Sequence, residues 1–151
     1  MHIEITEQTI DSWQLVRGYE DGHPELSGKH GACVVFLGRM RDFNDDESVT
    51  SMQLEHYPGM TEKFLTGIAS QAMQQWEIMD VLIVHRVGEI TPAQTIVLVV
   101  VWAAHRAHAY EASQFIMEAL KSRAPFWKKE ALSSGKVRWV EKNTPGKVKH
   151  T

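Results

Sequence analysis

Thr95-Ile96-Val97-Leu98-Val99-Val100-Val101-Trp102-Ala103 is the stretch on which the fold turns. It is apolar without alternation and rich in β-branched residues, which favours a strand covered on both faces at the centre of a sheet. The longest apolar run, Ile96 to Ala104, is too short to cross a bilayer as a helix. Upstream, Val81 to Val87 reads as a second strand, joined to the first by a turn over Gly88 to Ala93 that contains Pro92. Downstream, the apolar positions change period. Ala109, Ala112, Ile116 and Leu120 fall on one face of a helix expected from about Ala107 to Ser122. Pro125 disfavours helix in the residue before it.

Further out, Ile3 and Ile5 alternate with polar neighbours like a short strand. Thr6-Glu7-Gln8-Thr9 is expected to cap a helix to about Arg17, with Ile10, Trp13 and Val16 on its buried side. Gly18 to Gly31, with Pro24, reads as a loop, and Ala32 to Leu37 as a compact apolar strand. The acidic stretch Asn44-Asp45-Asp46-Glu47 is expected to be a mobile loop. In the strand Val49 to Tyr57, Met52, Leu54 and His56 share one face and Ser51, Gln53 and Glu55 the other. Pro58-Gly59 ends it, and a helix from Met60 to Trp76 follows, with Phe64, Ile68, Ala72 and Trp76 on one stripe. A short segment from Phe126 to Leu132 and a strand from Val137 to Val140 complete the series, and the tail from Asn143 has no apolar residue except Val148. The order β-α-β-β-α-β-β-α-β points to an α+β sandwich with a mixed or antiparallel sheet. Neither Gly-x-Gly-x-x-Gly nor Gly-x-x-x-x-Gly-Lys-Ser/Thr is present to support a doubly wound nucleotide-binding sheet.

The chain has 151 residues, which suits one domain with one core. No internal repeat or linker divides it, so residues 1–142 are expected to be a single domain and 143–151 a flexible tail. The formal net charge of -3 argues against a general attraction to nucleic acid or an acidic membrane. One cysteine, Cys33, excludes an internal disulfide, and the start Met1-His2-Ile3-Glu4-Ile5 is no signal peptide, so a cytoplasmic location is expected.

Positive groups on structured elements in an acidic chain point to a pocket for an anion. They include the pairs His85-Arg86 and His105-Arg106 and the segment Lys121-Ser122-Arg123-Ala124-Pro125-Phe126-Trp127-Lys128-Lys129-Glu130. Lys121, in the last turn of its helix, falls away from Ile116 and near Gln114 and Tyr110, where it can line a cleft. The plain alternative is a solvated lysine favoured at a helix C-terminus. Lys128 follows the turn at Pro125 and stands beside Trp127; aromatic neighbours reduce a lysine's solvation and basicity and allow acid-base or nucleophilic work near neutral pH. Its alternative is an outward lysine on a segment anchored by Phe126 and Trp127. His105 and Arg106 follow the central strand, suited to proton transfer and to phosphate binding, with a merely structural strand-end histidine as the alternative. Arg39 and Arg41 flank Met40 and fall on one side if the strand extends that far. Cys33 sits among Ala32, Val34 and Val35 and reads as buried core rather than nucleophile. Glu89 and Glu111 have no partner by spacing. Eight histidines raise a metal, but without His-Glu-x-x-His or Cys-x-x-Cys only His105-x-x-His108 offers a pair, and no metal site or cofactor is expected.

Several of these stretches together resemble the family of molybdopterin synthase large, catalytic subunits. They are Gly31-Ala32-Cys33-Val34-Val35-Phe36-Leu37-Gly38-Arg39-Met40-Arg41, Leu54-Glu55-His56-Tyr57-Pro58-Gly59-Met60, His85-Arg86-Val87-Gly88-Glu89, His105-Arg106, and the run from Phe115 through Lys121 and Lys128 to Glu130. The resemblance implies an α+β fold of the α/β hammerhead type with an additional small antiparallel β subdomain. It implies a homodimer in which each protomer binds a small ubiquitin-like sulfur carrier, giving a heterotetramer. The carrier's C-terminal Gly-Gly thiocarboxylate would enter the active site and supply sulfur to cyclic pyranopterin monophosphate, forming the molybdopterin dithiolene. It also implies that Lys121 and Lys128 are the active-site lysines and that Arg41, His105 and Arg106 hold positions of an anion-binding pocket. At the position of Arg39 the family more often carries lysine or another residue. Sulfur delivered on a partner would explain why a sulfurtransferase needs no thiol of its own.

Two readings from other classes use the same residues. A non-catalytic module binding a phosphorylated small molecule or an acidic tail would need the arginines but tolerate loss of Lys121. A phosphohydrolase would need His105 with a metal.

Overall fold

The computed structural model describes residues 1–140. The expected flexible tail over 143–151 lies outside the described residues. Along the chain run β1 (His2–Thr6), α1 (Ser12–Gly22), a 3-10 turn (Pro24–Leu26), β2 (Ala32–Arg39), β3 (Phe43–Asn44), β4 (Glu47–His56), α2 (Met60–Gln75), β5 (Ile78–Arg86), β6 (Gly88–Ile90), β7 (Thr95–Ala103), α3 (Arg106–Arg123), β8 (Phe126–Leu132) and β9 (Val137–Val140).

Two sheets divide these strands. The first has the order β1-β5-β7-β2, with β1 parallel to β5 and the other pairs antiparallel. Its α2/α3 face carries Val81, Ile83, Val97, Val99 and Val101 against Leu65, Ile68, Ala72, Ala112, Ile116 and Leu120. The opposite face carries Leu82, Val84, Leu98, Val100 and Trp102 against Ile10, Leu26, Leu15, Val16 and Tyr19. Covered on both faces, all nine residues of β7 are buried, which is why the strand shows no alternation. At roughly 1.5–3 kcal/mol for each large apolar side chain removed from water, this run is the main apolar contribution to the core.

The second sheet has the order β3-β4-β8-β9, with β6 also paired to β4. Met40, Val49, Met52, Leu54, Ile90, Ile96 and Leu132 form its own apolar cluster, and Phe126 packs against both this cluster and the larger one. The mixed α+β architecture with a second antiparallel sheet agrees with the hammerhead-plus-subdomain expectation.

Several local expectations change. The first helix starts at Ser12, because the Asp11 carboxylate accepts from the Gln14 backbone N–H at 3.2 Å; Thr6 instead accepts from the Gln8 N–H at 3.0 Å, before the helix. The helix then runs to Gly22, into the expected loop. This later start turns Trp13 outward, 62% exposed, while Ile10 is buried ahead of the helix. The expected loop over Asn44–Glu47 is a tight hairpin: Asn44 pairs with Glu47, and Asp45 and Asp46 take φ of 49° and 61°, the left-handed pair that matches strand twist. Part of the expected turn after Val87 forms β6 on β4. Cys33 is exposed rather than buried, because β2 is an edge strand of the first sheet.

Candidate active site

The end of α3 sets the geometry. Ala124, the residue before Pro125, leaves the helix at φ -66° and ψ 137°, in the extended region that a following proline favours. The turn is tied to the start of α2. Thr61 Oγ1 donates to the Pro125 carbonyl at 3.2 Å and accepts from the Tyr57 N–H at 3.0 Å. There Gly59 takes φ +84°, a conformation that suits glycine, and its N–H donates to Glu62 Oε2 at 2.6 Å. The chain re-enters as β8, paired with β4 in the register Leu54↔Lys128, Glu55↔Trp127 and His56↔Phe126. Strand alternation then turns Phe126 and Lys128 inward and Trp127 and Lys129 outward.

Lys121 from the last turn of α3 and Lys128 from β8 therefore face one cavity of about 60 Å³ at the seam between the two sheets. Leu54, Ile96, Leu120 and Phe126 supply much of its apolar wall, and His85 from β5 adds an imidazole. Desolvation dominates the electrostatics. It pulls the Lys121 ammonium down to about 8, with the positive charge of Lys128 adding to the effect. Lys128 is also pulled down by burial; Glu130 opposes this and Arg41 reinforces it. Burial holds His85 at about 3 despite its bond to the Arg86 carbonyl, so its ring is neutral. The site can thus present an amine at near-neutral pH and still carry positive charge for an anion.

Arg41 belongs to this neighbourhood, since its charge acts on Lys128; its guanidinium lies 4.9 Å from the centre of the Phe43 ring. Arg39 and Arg41 are both exposed on either side of buried Met40. His105 and Arg106 lie elsewhere. His105 is the N-cap residue and Arg106 the first residue of α3, whereas Lys121 is in its last turn, roughly 22 Å along the axis. Within one chain the length of α3 therefore holds His105 and Arg106 away from the cavity that Lys121 lines.

His108 is spent on structure, its Nδ1 accepting from the Glu77 N–H at 3.0 Å. Among the described residues no group of three or more His, Cys, Asp or Glu side chains is placed to hold a metal ion. Although Cys33 is exposed at the sheet edge, partial desolvation of its thiol by neighbouring atoms and the Glu20 carboxylate push it up to about 11, so it is not a thiolate at neutral pH.

Two neighbours of the lysines were missed. Glu130 is buried, accepts from Asn44 Nδ2 at 2.9 Å and from Arg138 Nε at 3.0 Å, and supports the charge on Lys128. Strand alternation from Lys128 was the available signal. His85 has no motif of its own in the sequence; its two-residue spacing from Ile83 and Val81 puts it on their face.

Residues 5–123 match the family described as MoaE protein. A molybdopterin synthase catalytic subunit from Ralstonia nicotianae is 46% identical over 139 residues, covering 92% of this chain and 76% of the relative. One from Escherichia coli K12 is 52% identical over 111 residues, covering 74% and 73%. The solved molybdopterin biosynthesis MoaE protein from Burkholderia ambifaria MC40-6 superposes with a TM-score of 0.78 at 42% identity, covering 96% of this chain and 92% of that one.

Proposed function

This chain belongs to the MoaE protein family, and on that premise we propose that it is the catalytic subunit of a molybdopterin synthase, moving sulfur from a thiocarboxylated carrier protein onto cyclic pyranopterin monophosphate in molybdenum cofactor biosynthesis. The observation that carries the chemistry is the convergence of Lys121 and Lys128 on one apolar-walled cavity, with Lys121 held at about 8. A thiocarboxylate and a phosphorylated pterin are both anions, and neither a thiol nor a metal of the protein is required to bring them together.

In this reading the carrier's C-terminal Gly-Gly enters as an extended peptide and its thiocarboxylate comes to rest beside the lysines. Lys128, with Arg41 close in charge, holds the anions. Lys121, as the amine, accepts a proton from the intermediate, and its ammonium returns one to the oxygen that leaves the pterin side chain. The carrier is a small ubiquitin-like subunit, and the reaction belongs to the cytoplasm.

His105 and Arg106 enter the account through a second copy of the chain. Their distance from Lys121 within one protomer, together with their expected place in an anion pocket, supports a homodimer in which one protomer's His105–Arg106 meets its partner's lysine cavity. With one carrier per protomer the assembly is a heterotetramer.

Reconstitution tests the proposal. The purified chain, a thiocarboxylated carrier and cyclic pyranopterin monophosphate are combined and the dithiolene product is measured. Product that depends on all three is expected; its absence with a carrier competent for another synthase overturns the reading.

A further inference from the structure

His85 shares the lysine cavity, yet nothing in the reaction as described uses it. It is 3% exposed near the end of β5, and its ring stacks on Phe126 with centroids 4.0 Å apart and planes at 17°. Its Nδ1 lies 2.8 Å from the Arg86 carbonyl oxygen. A carbonyl only accepts, so Nδ1 carries the hydrogen and Nε2 keeps its lone pair. Packing and the backbone thus fix both the tautomer and the plane of the ring. Among the described residues lining this cavity, His85 brings a nitrogen acceptor beside the amino groups of Lys121 and Lys128.

We propose that His85 is a positioning residue for Lys121: its Nε2 accepts one N–H of the lysine's amino group and so turns the amine's lone pair toward the reacting centre. A phenyl ring would stack on Phe126 equally well and without burying a polar nitrogen, so packing alone does not account for an imidazole here. Its low basicity suits the role, because a ring that stays neutral never competes with Lys121 for the proton. The titratable groups acting on His85 are Lys121 on α3, Lys128 on β8 and His56 on β4, the last lying 3.7 Å from Glu62 on α2. Arg86 is turned elsewhere, donating to Gln94 Oε1 and the Glu89 carbonyl, each at 3.0 Å.

The inference rests on the sulfur-transfer reading for its effect on turnover, but not for its effect on Lys121 itself. The test therefore follows both, in His85→Phe and His85→Gln, alongside the parent protein. The titration of Lys121 is read by carbon-13 NMR of labelled lysines, assigned with Lys121→Ala. An acceptor favours the ammonium form, so His85→Phe is expected to lower the Lys121 midpoint by about one pH unit. Turnover at saturating substrate should fall about tenfold, with KM nearly unchanged. His85→Gln, whose amide oxygen can stand near the place of Nε2, is expected to recover most of both. A folded His85→Phe variant with an unmoved Lys121 midpoint overturns the proposal, as does a His85→Gln variant displaced as far as His85→Phe. If His85→Phe does not fold, His85→Gln is compared with His85→Asn, whose shorter amide reaches the Nδ1 position only. Restoration by Gln and not Asn supports the proposal, and the reverse overturns it. A displaced midpoint in His85→Phe, with no dithiolene made even by the parent protein, supports the role of His85 and removes the sulfur-transfer reading instead.

Discussion

Arg106 and Lys121 stand at opposite ends of one helix. Both belong to α3, Arg106 as its first residue and Lys121 in its last turn, so neither side chain reaches the other within a protomer. If both serve one substrate, the helix must offer its two ends to two different sites, and a dimer satisfies that with two equivalent sites.

Mixed dimers test this arrangement. Lys121→Ala and Arg106→Ala homodimers are each expected to be nearly inactive. Co-expressed as a heterodimer, they should recover about half the parent activity, since one of two sites then has both residues intact. Activity of tagged, separated heterodimers is the measurement. No recovery would place Arg106 outside the lysine site.

Lys121 should cost stability. Its folded-state pKa of about 8 lies below the ordinary lysine value of 10.5, so folding disfavours its charge. The cost is fully present below pH 8 and disappears as pH rises from there through 10.5, where the unfolded chain loses the same proton. Lys121→Met is therefore expected to stabilise the protein at pH 7 by roughly 1–3 kcal/mol while abolishing turnover. Denaturant titrations of both proteins across this pH range should show the difference shrinking as pH rises.

Glu130 joins the hairpin to the lysine strand. Its carboxylate accepts from Asn44 and Arg138, and Arg138 also bonds Glu47 at 2.7 Å and the Asn44 carbonyl at 2.8 Å. Glu130→Ala removes the buried acceptor of this network and is expected to cost roughly 2–4 kcal/mol in chemical denaturation. It should also make Lys128 less basic, because Glu130 supports its charged form. A lysine titration on the folded variant measures that shift directly.

In the proposed reaction the carrier's tail would have little room. A cavity of about 60 Å³ accepts a glycine backbone more readily than a side chain. A bulky residue at the carrier's penultimate position is expected to abolish sulfur transfer even with the thiocarboxylate retained. Removing the tail should leave measurable association through the wider surface. Parallel binding and turnover titrations distinguish the two effects.

Much of this was legible in the chain because its strongest signals are local. The unbroken run of β7 announced a strand covered on both faces, and the spacing of Ala109, Ala112, Ile116 and Leu120 gave the buried face of α3, since both patterns depend only on local geometry and burial. Pro125 marked the helix end that throws Lys121 and Lys128 toward each other. The first helix was misplaced because Thr6 and Asp11 both offer capping oxygens, and only packing of Ile10 beneath the sheet chooses between them. Cys33 misled because composition alone does not tell an edge strand from a central one. The separation of His105 and Arg106 from Lys121 depends on how far α3 runs, which the type of each residue does not encode. His85 has no local signature because its surroundings come from Phe126, Lys121 and Lys128, all remote in sequence.

The most direct test of the central claim is a single-turnover experiment on the carrier's C-terminus. Thiocarboxylated carrier and limiting cyclic pyranopterin monophosphate are mixed with enzyme sites in excess, and conversion of thiocarboxylate to carboxylate is followed by mass spectrometry together with dithiolene formation. The parent protein is predicted to consume thiocarboxylate in step with product, and folded Lys121→Ala to leave most of it intact. Equal rates of sulfur loss and product formation by the two proteins would contradict the account.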